Sequence, residues 1–185
     1  MILFINACVR EKSRTKALAD YYLSKQTDEV CEIRLDKMAF PVVDEDFLNL
    51  RDAALEKGDF ENPNFYLARQ FAAADEILIA APFWDLSFPA ALKQYFEQIN
   101  VIGVTFKYSE NGVPQGLCKA KRLNFITTAG GDYFPEEFGF GYIKALANNF
   151  YGIKDVRMIK ATGLDIDGAD VNEIIASARA EIDKW

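Results

Sequence analysis

The sequence predicts a single α/β domain (residues 1–185) with a parallel five-stranded sheet in the order 2-1-3-4-5 and helices on both faces. Apolar segments of strand length alternate with helical patterns along the whole chain, which is typical of repeated β-α-β units. The first and third segments are the most apolar, as strands buried on both faces are. The second and fifth carry charges, which places them at the edges of the sheet.

Each predicted strand is a short apolar or alternating segment. The first is almost wholly apolar, whereas the second alternates, with Cys31, Ile33 and Leu35 on one side. The third is ended by Pro82. The five predicted strands span residues 2–6, 30–35, 76–81, 123–128 and 156–162.

Helical periodicity fills the connections between the strands. The clearest pattern covers residues 89–100, where Pro89 suits the first turn. Its apolar stripe consists of Leu92, Tyr95, Phe96 and Ile99. Another predicted helix begins near Ser13, and three more span residues 45–57, 64–73 and 137–150. A final helix near the end of the chain is predicted to bury Val171, Ile174, Ile175, Ala178 and Ile182. Residues 101–118 are irregular and carry the turn signal Asn111-Gly112.

Composition excludes several kinds of chemistry. The chain has no histidine, which excludes a Ser-His-Asp triad, a Cys-His pair and a histidine-ligated metal. A net charge of −7 disfavours nucleic acid as a partner. No apolar run approaches the roughly 20 residues that span a bilayer, so we expect a cytoplasmic protein with no membrane partner. Cys8, Cys31 and Cys118 lie far apart without metal-ligand spacing, and we expect no metal site.

The predicted strand order places a ligand at the carboxyl ends of the first and third strands. Residues 7–16 follow the first strand and bring four cations to the start of a helix, where the helix dipole disfavours them and favours an anion. Ser13 and Thr15 add hydroxyl donors. The loop matches neither G-x-G-x-x-G nor G-x-x-x-x-G-K-[ST]. A phosphate site and a capped helix with scattered surface charges explain this loop equally well.

Two further loops are expected beside this one. Residues 81–89 carry Phe83 and Trp84, which suit a planar ring, although apolar residues beside a parallel sheet are more often plain core. Residues 127–133 contain Gly130 and Gly131, which permit close approach of a ligand or simply form a tight turn. Each signal is weak alone, but the topology places all three loops side by side.

Four segments resemble the FMN-dependent NADH-azoreductases and related NAD(P)H-quinone reductases, which have a flavodoxin-like fold, a three-layer sandwich. Ser13-Arg14-Thr15 resembles the family's phosphate loop, and Pro82-Phe83-Trp84-Asp85-Leu86 resembles the segment along the isoalloxazine ring. Residues 103–117 resemble a family signature, the most specific of the four matches. Thr128-Ala129-Gly130-Gly131 is similar to the Ser-x-Gly-Gly turn at the pyrimidine edge of the flavin.

The resemblance implies bound FMN, NADH or NADPH as the electron donor, a small-molecule quinone or azo acceptor, and a homodimer with shared active sites. It implies no catalytic side chain, because the flavin carries the chemistry. Tyr108 is a possible residue of the acceptor pocket. The cofactor-binding residues expected on this basis are Cys8, Ser13, Arg14, Thr15, Pro82, Phe83, Trp84, Asp85, Leu86, Thr128, Ala129, Gly130, Gly131 and Tyr133.

The chain departs from the family pattern at two places. Trp84-Asp85 stands where the family usually has Tyr-Asn, so a carboxylate replaces an amide. If Asp85 faces the ring, its charge is expected to lower the reduction potential of the flavin. Asp132-Tyr133 follows the Gly-Gly turn where the family commonly has a histidine. Together with Tyr108 this indicates an acceptor pocket of different shape, which puts azo-dye reduction in doubt.

Three other functions fit the sequence less well. A flavodoxin-type electron carrier would lack a substrate pocket, whereas residues 101–118 and the aromatic loop favour a pocket. A receiver-type signalling domain needs acidic residues after the first strand and at the end of the third, and this chain has neither. A hydrolase using Ser87 or Cys8 lacks a histidine to activate its nucleophile.

Overall fold

Five parallel strands form the central sheet of the computed structural model, which describes residues 1–185. The strands of the whole chain are β1 (Ile2–Asn6), β2 (Val30–Arg34), β3 (Glu76–Ala80), β4 (Phe106–Tyr108), β5 (Pro114–Gly116), β6 (Arg122–Thr128) and β7 (Asp155–Ala161). The central sheet has the order β2-β1-β3-β6-β7, and every pairing in it is parallel. This confirms the predicted order 2-1-3-4-5 and the flavodoxin-like architecture.

The helices cover both faces of the sheet. They are α1 (Arg14–Leu23), α2 (Glu45–Glu56), α3 (Tyr66–Ala73), α4 (Ala90–Ile99), α5 (Phe140–Leu146) and α6 (Val171–Ile182). Alternate side chains of each strand point to opposite faces. Leu3 and Ile5 therefore pack with residues of α3 and α4, while Ile2 and Phe4 pack with residues of α1 and α6. The core therefore consists of two apolar clusters, one on each face of the sheet.

Burial along the strands follows the predicted division between centre and edge. All five residues of β1 are buried, as are the last four of β3. In β2 only Ile33 is fully buried, which fits an edge strand. The stripe predicted on α4 is correct, since all four of its apolar residues are buried.

The segment 101–118 contains an antiparallel hairpin of β4 and β5 that the sequence analysis described only as irregular. Packing against the rest of the chain orders it. Phe106 stacks on Phe150 with ring centroids 4.6 Å apart, and Gly116 lies directly against the backbone of Gly152. The expected Asn111-Gly112 turn closes the hairpin, with Gly112 at φ +73°.

The continuous helix predicted over residues 137–150 is wrong. Gly139 has a non-helical backbone (φ −117°, ψ −84°), which separates a 3₁₀ turn (Glu136–Phe138) from α5. A π-helical turn (Ala147–Tyr151) then follows α5 and ends at Gly152, which has φ +77°. Pro89, predicted in the first turn of α4, instead precedes it as the cap residue. No helix combines the length and apolar character needed to cross a membrane.

Candidate functional site

A cavity of about 330 Å³ opens at the carboxyl ends of β1, β3, β6 and β7, where the topology predicts a ligand. Its size is at the lower end of the range for small-molecule sites. Residues from all three predicted loops line it, and a fourth loop, after β7, joins them. The lining residues are Val9, Arg10, Lys12, Ser13, Arg14, Thr15, Pro82, Phe83, Trp84, Thr128, Ala129, Gly130, Leu164 and Asp165.

The loop after β1 gives the cavity its positive end. Ser13 caps α1, and its hydroxyl accepts a hydrogen bond from the amide of Lys16 at 3.2 Å. The amides of residues 13–15 donate no hydrogen bond within the chain, as is usual for a first helical turn, and are free for an anion.

The four cations of this loop divide into two paired and two unpaired residues. Arg14 forms an ion pair with Asp165 at 2.8 Å, and Lys16 forms one with Asp20 at 2.8 Å. Arg10 and Lys12 have no carboxylate partner, and both line the cavity. Two unpaired cations match the charge of between −1.5 and −2 that a phosphate monoester carries at neutral pH.

A buried hydrogen bond joins the first loop to the end of β6. The hydroxyls of Thr15 and Thr128 lie 2.7 Å apart, and both residues are buried. At the start of the same loop, the side chain of Asn6 accepts a hydrogen bond from the amide of Cys8 at 2.9 Å. The backbone that would surround a phosphate is therefore tied at both ends to the sheet.

The loop after β3 contains a strained two-residue turn. Trp84 and Ser87 exchange two backbone hydrogen bonds, with lengths of 3.1 and 2.8 Å. Between them, Asp85 and Leu86 have φ values of +51° and +65°, in the left-handed region that residues other than glycine rarely adopt. The Ser87 hydroxyl donates to the carbonyl of Phe138 at 2.6 Å and braces the turn. Strain of this kind is concentrated at functional sites.

Phe83 connects the aromatic loop to the loop after β6. Its amide donates to the carbonyl of Thr128 at 2.9 Å, and its ring packs on Phe134 with centroids 4.5 Å apart. The ammonium of Lys160 lies 5.1 Å from the centre of the Phe134 ring on β7's side of the site. Phe83, which forms part of the apolar wall of the cavity, is thus packed against Phe134, and Phe134 in turn contacts Lys160.

Leu164 and Asp165 line the cavity but were not among the predicted site residues. Their amides donate to the carbonyls of Ala129 and Gly130, so the loop after β7 runs alongside the loop after β6. A Cβ on Gly130 would lie 2.4 Å from Oδ2 of Asp165, which explains why glycine is needed there. The available signal was an acidic residue just beyond the last strand, at the edge where the ligand was expected.

Nine of the fourteen predicted cofactor-binding residues line the cavity. Cys8, Asp85, Leu86, Gly131 and Tyr133 do not, although each belongs to a loop that does. Tyr108 lies on the exposed β4–β5 hairpin, in a separate surface depression formed by residues 107–111 and Gln115. The structure therefore does not bring Tyr108 onto the wall of the central cavity within one chain.

Cys8 is the only thiol in the loop after β1, and its burial makes it unreactive. Burial raises the pKa of the Cys8 thiol to about 11, so the thiol is neutral at physiological pH. The thiol points to the carbonyl of Ala80 at 3.7 Å. With no histidine in the chain, the site is suited to binding an anion and a flat ring rather than to nucleophilic catalysis.

Comparisons with known proteins agree with this geometry. Over 99% of this chain and 96% of the relative, the sequence is 33% identical to an FMN-dependent NADH:quinone oxidoreductase of Coprothermobacter proteolyticus. A protein of the same name from Clostridium beijerinckii is 37% identical, with coverage of 96% and 93%. The crystal structure of an azoreductase from Bacillus anthracis superimposes with a TM-score of 0.85 at 26% identity, over 99% of this chain and 96% of that one. A family model described as flavodoxin-like fold matches residues 1–185, and the chain belongs to that family.

Proposed function

We propose that this protein is an FMN-dependent oxidoreductase that takes electrons from NADH and passes them to a small quinone-type acceptor. The observation that carries the proposal is the cavity at the carboxyl edge of the sheet, whose wall combines the unpaired cations Arg10 and Lys12 with the aromatic residues Phe83 and Trp84. Relatives about one third identical over almost the whole chain are named FMN-dependent NADH:quinone oxidoreductases. Azo compounds are a second class of acceptor, since azoreductases share the fold.

The residues of the cavity fit FMN. Arg10, Lys12 and the free amides of the first turn of α1 would hold the phosphate. Pro82, Phe83 and Trp84 would pack against the isoalloxazine ring. Oδ2 of Asp165 occupies the position that a Cβ on Gly130 would need, so glycine at this position lets the loop after β7 pack closely on the loop after β6 at the cavity wall.

The protein contributes binding, orientation and exclusion of water. FMN, when bound, would supply the redox chemistry, which is hydride transfer between the nicotinamide and the acceptor. The aromatic loop and the Gly-Gly turn would hold the ring, while Thr15 and Thr128 join the two sides of the site. The neutral thiol of Cys8 takes no part, and no side chain here needs to act as a general acid or base.

We also propose a homodimer in which each chain completes the site of the other. Apolar side chains are exposed on and around the β4–β5 hairpin, which supports an interface there. Ile102, Tyr108 and Val113 are exposed by 47%, 49% and 58%. In such a dimer Tyr108 would approach the acceptor pocket of the partner subunit. A cytoplasmic location fits this activity, because NADH is a cytoplasmic electron donor.

Steady-state oxidation of NADH by the FMN-loaded protein tests the proposal. With benzoquinone as acceptor, we expect continuous turnover. The preference between the two electron donors follows from comparing kcat/KM for NADH with kcat/KM for NADPH. A flavodoxin-type electron carrier is the alternative, and it would show negligible turnover with a soluble quinone. Methyl red in place of benzoquinone tests whether Trp84, Asp85 and Tyr133 admit an azo compound. Absence of turnover with both acceptors contradicts the proposal.

A further inference from the structure

Asp165 carries the only negative charge on the wall of the cavity. A phosphate dianion would be repelled by this carboxylate, so the carboxylate suits a different part of the ligand. Oδ1 of Asp165 accepts a hydrogen bond from Nη1 of Arg14 at 2.8 Å. Oδ2 accepts no hydrogen bond within the chain and lies over Gly130, 2.4 Å from where a Cβ would stand. One carboxylate oxygen is thus committed to the protein, and the other is without a hydrogen-bond partner on a residue that lines the cavity.

The backbone holds Asp165 firmly in this position. Its amide donates to the carbonyl of Gly130 at 2.9 Å, and Gly163 and Leu164 donate to Gly131 and Ala129 at 3.0 and 3.2 Å. Arg14 adds a second hydrogen bond, to the carbonyl of Leu164 at 3.3 Å. The backbone hydrogen bonds fix the main chain of Asp165 and Arg14 orients its carboxylate, so the acceptor is partly pre-organised for a donor.

An ionised carboxylate only accepts hydrogen bonds, so its partner on the ligand must be a donor. The phosphate of FMN offers none when it is ionised, whereas the ribityl chain offers hydroxyl groups between the phosphate and the ring. Asp165 contacts Arg14, the first residue of α1, and also lies over Gly130, so it stands between the phosphate loop and the Gly-Gly turn. This position matches the ribityl segment.

We propose that Oδ2 of Asp165 accepts a hydrogen bond from a ribityl hydroxyl of bound FMN, while Oδ1 holds Arg14 in place. This inference rests on the proposed function and adds a ligand-binding residue from the loop after β7. The positive end of the cavity recognises the phosphate through Arg10 and Lys12. Asp165 recognises the polyol, which makes the site selective for a phosphorylated flavin with its sugar-alcohol chain.

Binding of three flavins to the apo-protein tests the assignment, with quenching of flavin fluorescence as the measurement. FMN has the phosphate and the ribityl chain, riboflavin has only the ribityl chain, and lumiflavin has neither. Asp165→Ala is expected to weaken riboflavin by about tenfold, the value of a hydrogen bond to a charged group, and to leave lumiflavin unchanged. FMN should lose less than riboflavin, because the repulsion between the carboxylate and the phosphate is removed as well. Asp165→Asn keeps an oxygen acceptor in place and is expected to lose less.

Asp167→Ala is the matched control, because it removes the same charge from the same loop at a residue that does not line the cavity. All three affinities should be unchanged in it. An unchanged affinity for riboflavin in Asp165→Ala, with weaker FMN, would mean that Asp165 acts only through Arg14 on the phosphate and would overturn the assignment. An equal loss for lumiflavin would overturn it as well. If the wild-type protein binds none of the three flavins, the proposed function itself fails.

Discussion

The hydroxyls of Thr15 and Thr128 share a buried hydrogen bond of 2.7 Å that joins the first turn of α1 to the last residue of β6. This bond joins the loop that would bind the phosphate of the cofactor to the strand that leads into the Gly-Gly turn. Both residues were predicted to bind the cofactor, and the structure shows that each has a protein partner as well. The site is therefore held in shape by contacts within the chain.

Removing either hydroxyl is expected to destabilise the protein. Thr15→Val and Thr128→Val each leave one buried hydroxyl without a partner, which costs about 1–2 kcal/mol in the free energy of unfolding. The double variant should lose less than the sum of the two, because no unpaired hydroxyl remains. Urea denaturation of the apo-proteins measures this, with the exposed Thr27→Val as control. Simple additivity would show that the two hydroxyls do not interact.

The left-handed turn at Asp85 and Leu86 predicts that glycine is more stabilising than alanine at position 86, the reverse of the usual order. At ordinary positions alanine stabilises a protein relative to glycine, but Leu86 has φ +65°, where every side chain with a Cβ is strained. Leu86→Gly should therefore be more stable than Leu86→Ala by about 1 kcal/mol. Thermal unfolding of the apo-proteins compares the two. Greater stability of the alanine variant would contradict the strained turn.

Asp85 is expected to lower the reduction potential of bound FMN. A negative charge beside the cavity opposes the added negative charge of the reduced cofactor. Asp85→Asn should raise the midpoint potential by roughly 10–30 mV, about 0.5–1.4 kcal/mol for a two-electron couple. A redox titration measures it, and Asp28→Asn, just before β2 at the opposite edge of the sheet, is the charge-matched control. A potential equal to that of the wild type would show that Asp85 does not face the ring.

The buried thiol of Cys8 predicts a loss of stability in alkaline solution. Burial raises its pKa from 9.0 to about 11, so the folded state retains a proton that the unfolded state releases. The stabilisation is complete below pH 9 and is lost as the pH rises towards 11. At pH 10 the loss is about 1 kcal/mol for this group.

Cys118 acts in the same direction, because burial raises its pKa to about 12. Cys8→Ala should flatten the decline in the free energy of unfolding between pH 8 and 10, measured by urea denaturation, and the additional change Cys118→Ala should flatten it further. Cys31→Ala removes a half-buried thiol and serves as the control. If the free energy of unfolding declines equally between pH 8 and 10 in Cys8→Ala and in the wild type, the buried thiol of Cys8 is not the cause of the decline.

The sheet and the three principal loops were predictable because their signals are local. Apolar runs of strand length, the cations near Ser13 and the aromatic pair Phe83-Trp84 can all be recognised in the sequence. The β4–β5 hairpin was not described, because its order depends on long-range packing of Phe106 against Phe150. At the break in the predicted helix, the hydroxyl of Ser87 donates a hydrogen bond to the carbonyl of Phe138, next to Gly139, and this long-range contact was not visible in the sequence.

Two features of the site were beyond the sequence for a similar reason. The left-handed turn at Asp85 and Leu86 contains no glycine to announce it, and hydrogen bonds between Trp84 and Ser87 maintain it. The place of Asp165 in the cavity depends on backbone pairing between two loops that are more than 30 residues apart in the chain. Topology brought those loops to one edge of the sheet but did not identify the side chain that faces the ligand.

The visible absorption spectrum of the purified protein tests the central claim most directly. We predict the two absorption bands of an oxidised flavin, with FMN released into solution when the protein is denatured. A preparation that has lost its cofactor should regain the spectrum when FMN is added, in a ratio of one FMN to one chain. A colourless protein that takes up no added FMN would contradict the account.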